Sequence, residues 1–149
     1  MIRPITEFDI AGLYDLAVEM HEESTEDGVA LDAAKFIDLC WKIMGSPYKL
    51  GVVSENNEGD LMGMLFADIT SPQWSVSLVA EEYVFIVSKK FRGGTAAVRL
   101  IDYYVKWAKQ HKVKKIFLSA NSGHKTEKLA KFYERKGFGM QGYNFVMEN

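Results

Sequence analysis

A strand that runs directly into a helix, over residues Glu81–Ile101, constrains this chain more than any other stretch. Tyr83–Val87 is a run of β-branched and aromatic residues, which is typical of a strand. Beyond Arg92-Gly93-Gly94, apolar residues recur at helical spacing: Ala97, Ile101, Tyr104, Val105 and Ala108. The first backbone N–H groups of a helix have no partner within it, and the helix dipole is positive there. The stretch therefore predicts an anion site at the start of the helix.

Length and composition indicate one soluble globular domain over residues 1–149. The chain is 48% hydrophobic and 26% charged, which is typical of a folded domain rather than a disordered chain. No apolar run reaches the length of a membrane-spanning helix, and no basic segment followed by an apolar one opens the chain. The single cysteine, Cys40, cannot form an intrachain disulfide, which fits a reducing compartment. We expect a cytoplasmic protein that neither associates with a membrane nor binds a metal, since its histidines do not cluster.

Charge is divided unevenly between the two halves of the chain. Residues 1–80 carry 14 acidic and 4 basic side chains, whereas residues 81–149 carry 14 basic and 6 acidic ones. A basic half favours an anionic ligand and an acidic half can attract a cation, although solvated surface is the alternative for both. The basic residues are spread over two helices and a loop, and the pI is near 5.9, so nucleic acid is not an expected partner.

The predicted order of elements is β-α-α-β-β-β-α-β-α-β. Strands are predicted over residues 1–4, 48–54, 61–69, 75–79 with 83–87, 115–120 and 138–147, the last holding one or two strands. Helices are predicted after Thr6, after Asp32, from about Gly94 and from Lys125. The Glu81-Glu82 pair suggests a β-bulge. This succession predicts an α/β (α+β) fold, with a mixed, mostly antiparallel sheet of six or seven strands and helices on both faces.

Two motifs in this order resemble those of the GNAT N-acetyltransferase superfamily. Val87–Ala97 is similar to the family's acetyl-CoA pyrophosphate loop, usually written Arg/Gln-x-x-Gly-x-Gly/Ala. Phe132–Phe138, which reads Phe-Tyr-Glu-Arg-Lys-Gly-Phe, is similar to its last helix and the strand that follows. The resemblance covers the whole chain and implies a GNAT fold and an N-acetyltransferase with acetyl-CoA as cosubstrate. A GNAT-like module that binds acyl-CoA or a protein with little or no transfer is the alternative. A homodimer, common in the family, is permitted but not required.

The resemblance implies a set of cofactor-binding residues in the second half of the chain. Backbone atoms of the strand would pair with the pantetheine arm, the loop would cradle the pyrophosphate, and two later residues would add contacts. In that order these are Phe85 and Val87; Arg92, Gly93, Gly94, Thr95, Ala96 and Ala97; Asn121 and Thr126. An ordinary turn is the alternative for Gly93-Gly94, and a capping or turn role for Asn121.

Two of these positions depart from the family pattern. Thr95 stands where the family usually has its middle glycine, and Gly94, one position earlier, is expected to supply the flexibility instead. Thr126 stands where many members have an asparagine that helps to hold the cofactor. The departures bear on individual contacts more than on the fold.

Catalysis by amine attack requires a base, because an amine of the lysine type has a pKa of roughly 10.4. The resemblance implies a glutamate base on the cofactor strand, at Glu81 or Glu82, and Tyr133 as general acid toward the departing thiolate. Successive strand residues face opposite ways, so only one of the two glutamates should face the site. Glu81 has the parity of Phe85 and Val87 and is slightly preferred. Exposure at a strand end is the alternative for either glutamate, and core packing for Tyr133.

In the family the acceptor lies opposite the cofactor, bordered by the first two helices and their loop. Here that loop is acidic and holds Glu22, Glu23 and Glu26, which suggests a cationic amine such as a polyamine, an aminoglycoside-like compound or a basic peptide. Trp74 is a candidate wall of the acceptor pocket. A solvated acidic loop and ordinary packing of the tryptophan are the alternatives.

Overall fold

The computed structural model describes residues 1–24, 28–120 and 125–149, and within them one five-stranded sheet carries helices on both faces. The strands are β1 (Ile2–Pro4), β2 (Lys49–Glu55), β3 (Leu61–Thr70), β4 (Val79–Val87) and β5 (Lys115–Phe117). The helices are α1 (Ile10–Glu23), α2 (Ala33–Met44), α3 (Ala96–Gln110) and α4 (Thr126–Arg135), with single 3₁₀ turns at Glu7–Asp9 and Lys89–Phe91. None of the helices in these ranges has the length and apolarity to cross a membrane.

The helix boundaries follow from local signals in the sequence. The Asp32 carboxylate accepts a hydrogen bond of 2.7 Å from the Lys35 N–H and so caps α2, as the sequence predicted. Before α1, the Thr6 N–H donates to Asp9 Oδ2 at 2.7 Å, which satisfies a donor at the helix start. Gly137 has φ +91 just after α4, a left-handed conformation that ends helices and favours glycine.

The strands pair in sequence order, from β1 to β5. Each neighbouring pair is antiparallel except β4 with β5, which run parallel. That parallel pairing joins Val79–Glu81 to Lys115–Phe117 and ends there. Along the part of the chain that the structure describes, β4 therefore continues to Val87 with no paired strand on its β5 side. The mixed, mostly antiparallel character of the sheet is confirmed.

A β-bulge interrupts the pairing of β4 with β3. Phe66 lies opposite Val84 and Ala67 opposite Glu82, so Tyr83 is an extra residue on β4. The bulge lies one residue beyond the predicted Glu81-Glu82 pair. An extra residue reverses the alternation of faces along a strand, and its consequence for the two glutamates is described with the site.

Two hydrophobic cores lie on opposite faces of the sheet. One packs α1 and α2 against the sheet through residues that include Leu13, Phe36, Cys40, Met64 and Phe66. Cys40 is fully buried, and burial raises the pKa of its thiol to about 11, as is typical of a buried structural cysteine. The other core packs α3 and α4 against the sheet through Leu50, Val52, Leu65, Ala67, Leu100, Ile101, Tyr104 and Tyr133, among others. Helices on both faces are thus confirmed.

The prediction of six or seven strands was wrong, because residues 138–147 form no strand. The alternation of apolar residues in this segment is present, but the side chains from Met140 onward are exposed, Phe145 by 94%. Gly139 and Gly142 also lack side chains with which to pack and weaken a strand by their backbone entropy. An alternating pattern predicts a strand only where a neighbouring strand is present to pair with it.

Candidate active site

The side chain of Glu82 is buried next to the point where β4 and β5 separate. It is 9% exposed, and its Oε2 accepts hydrogen bonds from the Ser119 N–H at 3.1 Å and the Ser119 hydroxyl at 3.2 Å. Burial disfavours the charged form and raises the pKa of Glu82 to about 7, although the two bonds from Ser119 act in the opposite direction. A carboxyl with this pKa can take up and release a proton near neutral pH, as a general base must.

The bulge decides which glutamate faces this site. Glu82 lies opposite Ala67, and Phe85 lies opposite Leu65, and both partners belong to the core under α3 and α4. Glu82 therefore shares its face with Phe85, whereas Glu81 is exposed. The parity argument that preferred Glu81 was wrong, because it assumed an unbroken strand.

Tyr133 of α4 also bonds to Ser119. Its side chain is 7% exposed and its hydroxyl donates a hydrogen bond of 2.9 Å to the Ser119 carbonyl. Burial, with a smaller contribution from the Glu82 charge, raises the pKa of Tyr133 well above its usual range, so the hydroxyl keeps its proton. The ring packs against Phe85 and Phe138, with centroids 6.4 and 6.3 Å away. Tyr133 is thus both a core aromatic and part of the polar cluster with Glu82.

Sequence reasoning missed two residues of this cluster, Ser119 and Tyr104. Ser119 follows β5 by two positions and belongs to neither motif. Tyr104 was assigned only to the apolar face of α3, yet its buried hydroxyl donates a hydrogen bond of 2.9 Å to the Phe117 carbonyl. No sequence signal identifies Ser119, whereas a tyrosine at a buried helix position predicts some partner for its hydroxyl.

The loop before α3 has the backbone that an anion site requires. Gly93 has φ +88, and a Cβ there would meet no atom within 4 Å, so the surface is open at this point. Thr95 has φ −96, a conformation that needs no glycine, and makes no side-chain cap on α3. The flexibility expected at Gly94 therefore lies at Gly93 instead. The N–H groups of the first helical turn, which includes the buried Ala96 and half-buried Ala97, have no partner within the helix, as in the anion sites found at helix starts.

The cations of this loop are paired with the end of α1. Arg92 Nη2 lies 2.9 and 2.6 Å from the two carboxylate oxygens of Glu23, and its Nε donates to the Val87 carbonyl at 2.9 Å. Lys89 Nζ lies 3.3 Å from Glu23, and the Lys89 N–H donates to Glu19 at 2.7 Å. The cations outweigh the effect of burial and lower the pKa of Glu23. Glu23, predicted to bind the acceptor, thus contacts the predicted cofactor loop.

The remaining predicted site residues are either exposed or outside the described residues. Glu22 and Thr126 are exposed, and Trp74 is 89% exposed in the loop between β3 and β4. Glu26 and Asn121 lie outside the described residues. Within the described ranges, no group of three or more His, Cys, Asp or Glu side chains is arranged to hold a metal ion.

Three solved structures resemble this fold along almost the whole chain. They are glucosamine-6-phosphate N-acetyltransferase from Arabidopsis thaliana (15% identity, 99% of this chain and 97% of that chain, TM-score 0.75), an acetyltransferase from Trypanosoma brucei (16%, 100% and 99%, 0.74), and AAC(6')-Iy in complex with the bisubstrate analogue CoA-S-monomethyl-acetylneamine (14%, 100% and 97%, 0.76). Identities this low establish the fold alone. No curated protein matches the chain by sequence.

A family model establishes more than the fold. The model described as the acetyltransferase (GNAT) family matches residues 10–138, which include α1 through α4, the loop before α3 and the cluster at Glu82. The resemblance inferred from the two sequence motifs is confirmed. The chain therefore belongs to the GNAT family of acetyltransferases.

Proposed function

We propose that this protein is an acetyl-CoA-dependent N-acetyltransferase that acetylates a primary amine. The observation that carries the proposal is the link from Glu82 through Ser119 to Tyr133. It sets a buried carboxyl with a pKa of about 7 near a buried phenol, where β4 leaves β5. Membership of the acetyltransferase family supports the same reaction class.

In this proposal Glu82 removes a proton from the acceptor amine, directly or through a water molecule. The freed amine forms the new C–N bond with the acetyl carbon as the C–S bond breaks. Tyr133, which keeps its proton, turns from the Ser119 carbonyl and donates that proton to the departing sulfur. The nitrogen of the new amide then loses its extra proton, which restores the Tyr133 hydroxyl, and Glu82 releases its proton to solvent. Acetyl-CoA supplies the activated acetyl group as a thioester.

The loop over Arg92–Ala97 is proposed to hold the pyrophosphate through the N–H groups at the start of α3. Among the described residues, no strand pairs with β4 beyond Glu81 on its β5 side, and Phe85 and Val87 lie there, where an extended pantetheine arm can bond to the backbone. Arg92 and Lys89 would have to exchange Glu23 for phosphate to take part. Thr126, at the start of α4, is a further proposed contact.

The acceptor class is proposed to be amines that carry additional positive charge. Glu22 at the end of α1 is exposed, and AAC(6')-Iy, which shares the fold, was solved with an analogue that joins CoA to an acetylated aminoglycoside. The charge of Glu23 does not support this preference, because Arg92 and Lys89 already balance it. We therefore expect a moderate preference for cationic amines that weakens with salt.

The test combines calorimetry with acetyl-CoA and a measurement of thiol release across an amine panel. The panel should contain polyamines, aminoglycosides, basic peptides and neutral and anionic amines, at low and high salt. We expect saturable binding and thiol release with at least one amine. Binding without release would favour an acyl-CoA-binding module, and a lack of binding would contradict both functions.

The active amine then allows a test of Tyr133. Tyr133→Phe should slow transfer by roughly the 10²–10⁴-fold typical of acid–base residues, with acetyl-CoA affinity retained. Tyr143→Phe is the matched control, because Tyr143 is exposed in the C-terminal segment. An unchanged rate in Tyr133→Phe would remove this residue from the mechanism.

A further inference from the structure

We infer that Ser119 is a positioning residue that holds the carboxylate of Glu82 and the hydroxyl of Tyr133 as one unit. The inference rests on the proposed function, in which these two groups are the base and the proton donor. It extends that function to a residue outside both sequence motifs, one that acts through its neighbours rather than on the substrate.

Ser119 is bonded through three of its atoms. Its N–H and its hydroxyl donate to the same oxygen of Glu82, Oε2, at 3.1 and 3.2 Å. Its carbonyl accepts from the Tyr133 hydroxyl at 2.9 Å. A displacement of Ser119 would therefore move the positions of both groups, although they lie on β4 and α4.

The place of Ser119 in the sheet explains why its backbone is available. The β4–β5 ladder ends at the pair Glu81–Phe117, so Ser119 lies beyond the last paired residue. Its N–H is not needed for the ladder and can bond to a side chain. A buried carboxylate requires such donors, because burying a charge without a partner is costly.

The chain around Ser119 is anchored by two tyrosines from two helices. Tyr104 of α3 donates to the Phe117 carbonyl, and Tyr133 of α4 donates to the Ser119 carbonyl. These bonds fix the carbonyls of Phe117 and Ser119, and so orient the Ser119 N–H that donates to Glu82. The same tyrosines are the titratable groups that face Glu82 from α3 and α4, and the charge of Glu82 acts on the pKa of both.

The donors on Glu82 are neutral. Burial is the largest influence on the pKa of Glu82, and the Ser119 N–H and hydroxyl are the groups that counter it. Both favour the charged form, because they bond to the carboxylate. Loss of the hydroxyl therefore leaves one donor and should move the titration of Glu82 to higher pH.

The test is the pH profile of kcat/KM for Ser119→Ala, measured with the amine identified above. The lost hydrogen bond stabilises the charged form of Glu82, so the acid limb should move up by about one pH unit. Ser119→Thr keeps a hydroxyl and should restore the original limb. Ser71→Ala, in the exposed loop after β3, is the control for a serine far from the site.

A second measurement does not depend on transfer. The titration of Glu82 also affects the pH dependence of the unfolding free energy. The midpoint of this dependence should move to higher pH in Ser119→Ala, as the acid limb does. If Ser119→Ala does not fold, Ser119→Cys, with a weaker donor, should give a smaller shift in the same direction.

The outcomes separate the inference from the proposed function. An active wild-type protein whose acid limb is unmoved in Ser119→Ala would overturn the inference alone. A uniform loss of rate without a pH shift would do the same, since it would indicate only a structural role. A wild-type protein that acetylates no amine would overturn the proposed function, and with it the positioning role. The midpoint of the pH dependence of the unfolding free energy would still show whether Ser119 bonds to Glu82.

Discussion

Two groups of polar side chains flank β4, and the protein holds them in opposite ways. At the bulge, the carboxylate of Glu82 is buried and bonded to the neutral donors of Ser119. Beyond the strand's other end, Arg92 and Lys89 are paired with the carboxylate of Glu23, and these cations are largely in contact with solvent. The negative charge of ionised Glu82 has no counter-charge among these donors, whereas Arg92 and Lys89 balance the charge of Glu23.

The difference in counter-charge explains why the pKa of Glu82 is raised whereas that of Glu23 is lowered. A buried carboxylate with neutral partners pays for desolvation, so its pKa moves toward neutrality and its proton becomes exchangeable. Glu23, with two cations beside it, stays ionised and acts as a fixed counter-charge. The lack of a counter-charge thus predicts large effects at the bulge, whereas screening of the paired cations predicts modest, salt-dependent effects at the loop.

The largest effect is expected from Glu82→Gln, which removes the proposed base but keeps an oxygen for Ser119 to bond. Transfer should slow by roughly 10²–10⁴-fold, because proton removal from the amine loses its acceptor. Glu81→Gln changes the neighbouring exposed carboxylate and should leave the rate within about twofold of the wild type. Steady-state thiol release measures both. Equal losses in the two variants would contradict the contrast drawn from the bulge.

Glu82→Gln should also change the pH dependence of the unfolding free energy. The folded pKa of Glu82 is raised from 4.5 to about 7, so its favourable contribution is complete below pH 4.5 and is lost as the pH rises through about 7. Glu82→Gln cannot ionise. Its stability relative to the wild type should therefore increase by about 3 kcal/mol between pH 4 and pH 8.

Urea denaturation of the two proteins at both pH values measures this difference. Glu81→Gln again provides the control, because Glu81 is the neighbouring glutamate and is exposed. A constant difference between Glu82→Gln and the wild type would mean that Glu82 is not desolvated.

The smallest effect is expected at the loop, from Glu23→Gln. This change releases Arg92 and Lys89 from their counter-charge and should strengthen acetyl-CoA binding by about two- to fivefold at low salt. The gain should shrink at high salt, because these cations are accessible to screening ions. Calorimetry at two salt concentrations measures it, with Glu22→Gln as the neighbouring control. Weaker binding in Glu23→Gln would show that the ion pair builds the site rather than competing with the ligand.

Local patterns in the sequence predicted most of the fold. The strand before the loop Arg92–Ala97, the helix after that loop and the helix that begins after Asp32 all depend on neighbouring residues, and each lies within a few residues of its predicted position. The last strand failed for the opposite reason. Whether residues 138–147 pair depends on a distant strand, about which their own alternation carries no information.

The candidate site was harder to predict, because its contacts join distant parts of the chain. Glu23 and Arg92 are 69 residues apart, and the sequence pattern assigned them to different ligands. Ser119 contacts Glu82 from 37 residues away and carries no motif. The Glu81–Glu82 choice turned on one bulged residue, and periodicity alone does not reveal a break in the period.

Tyr83, the residue of β4 that has no partner in β3, reverses the alternation of side-chain faces between the two halves of the strand. If Tyr83 paired with Ala67, Glu82 would move opposite Asp68 and turn toward α1 and α2, and Glu81 would move opposite Ile69, on the face beneath α3 and α4. The two glutamates are chemically identical neighbours, so their chemistry does not distinguish them. One residue more or less between Phe85 and the glutamates therefore decides which of them lies on the face of the proposed base.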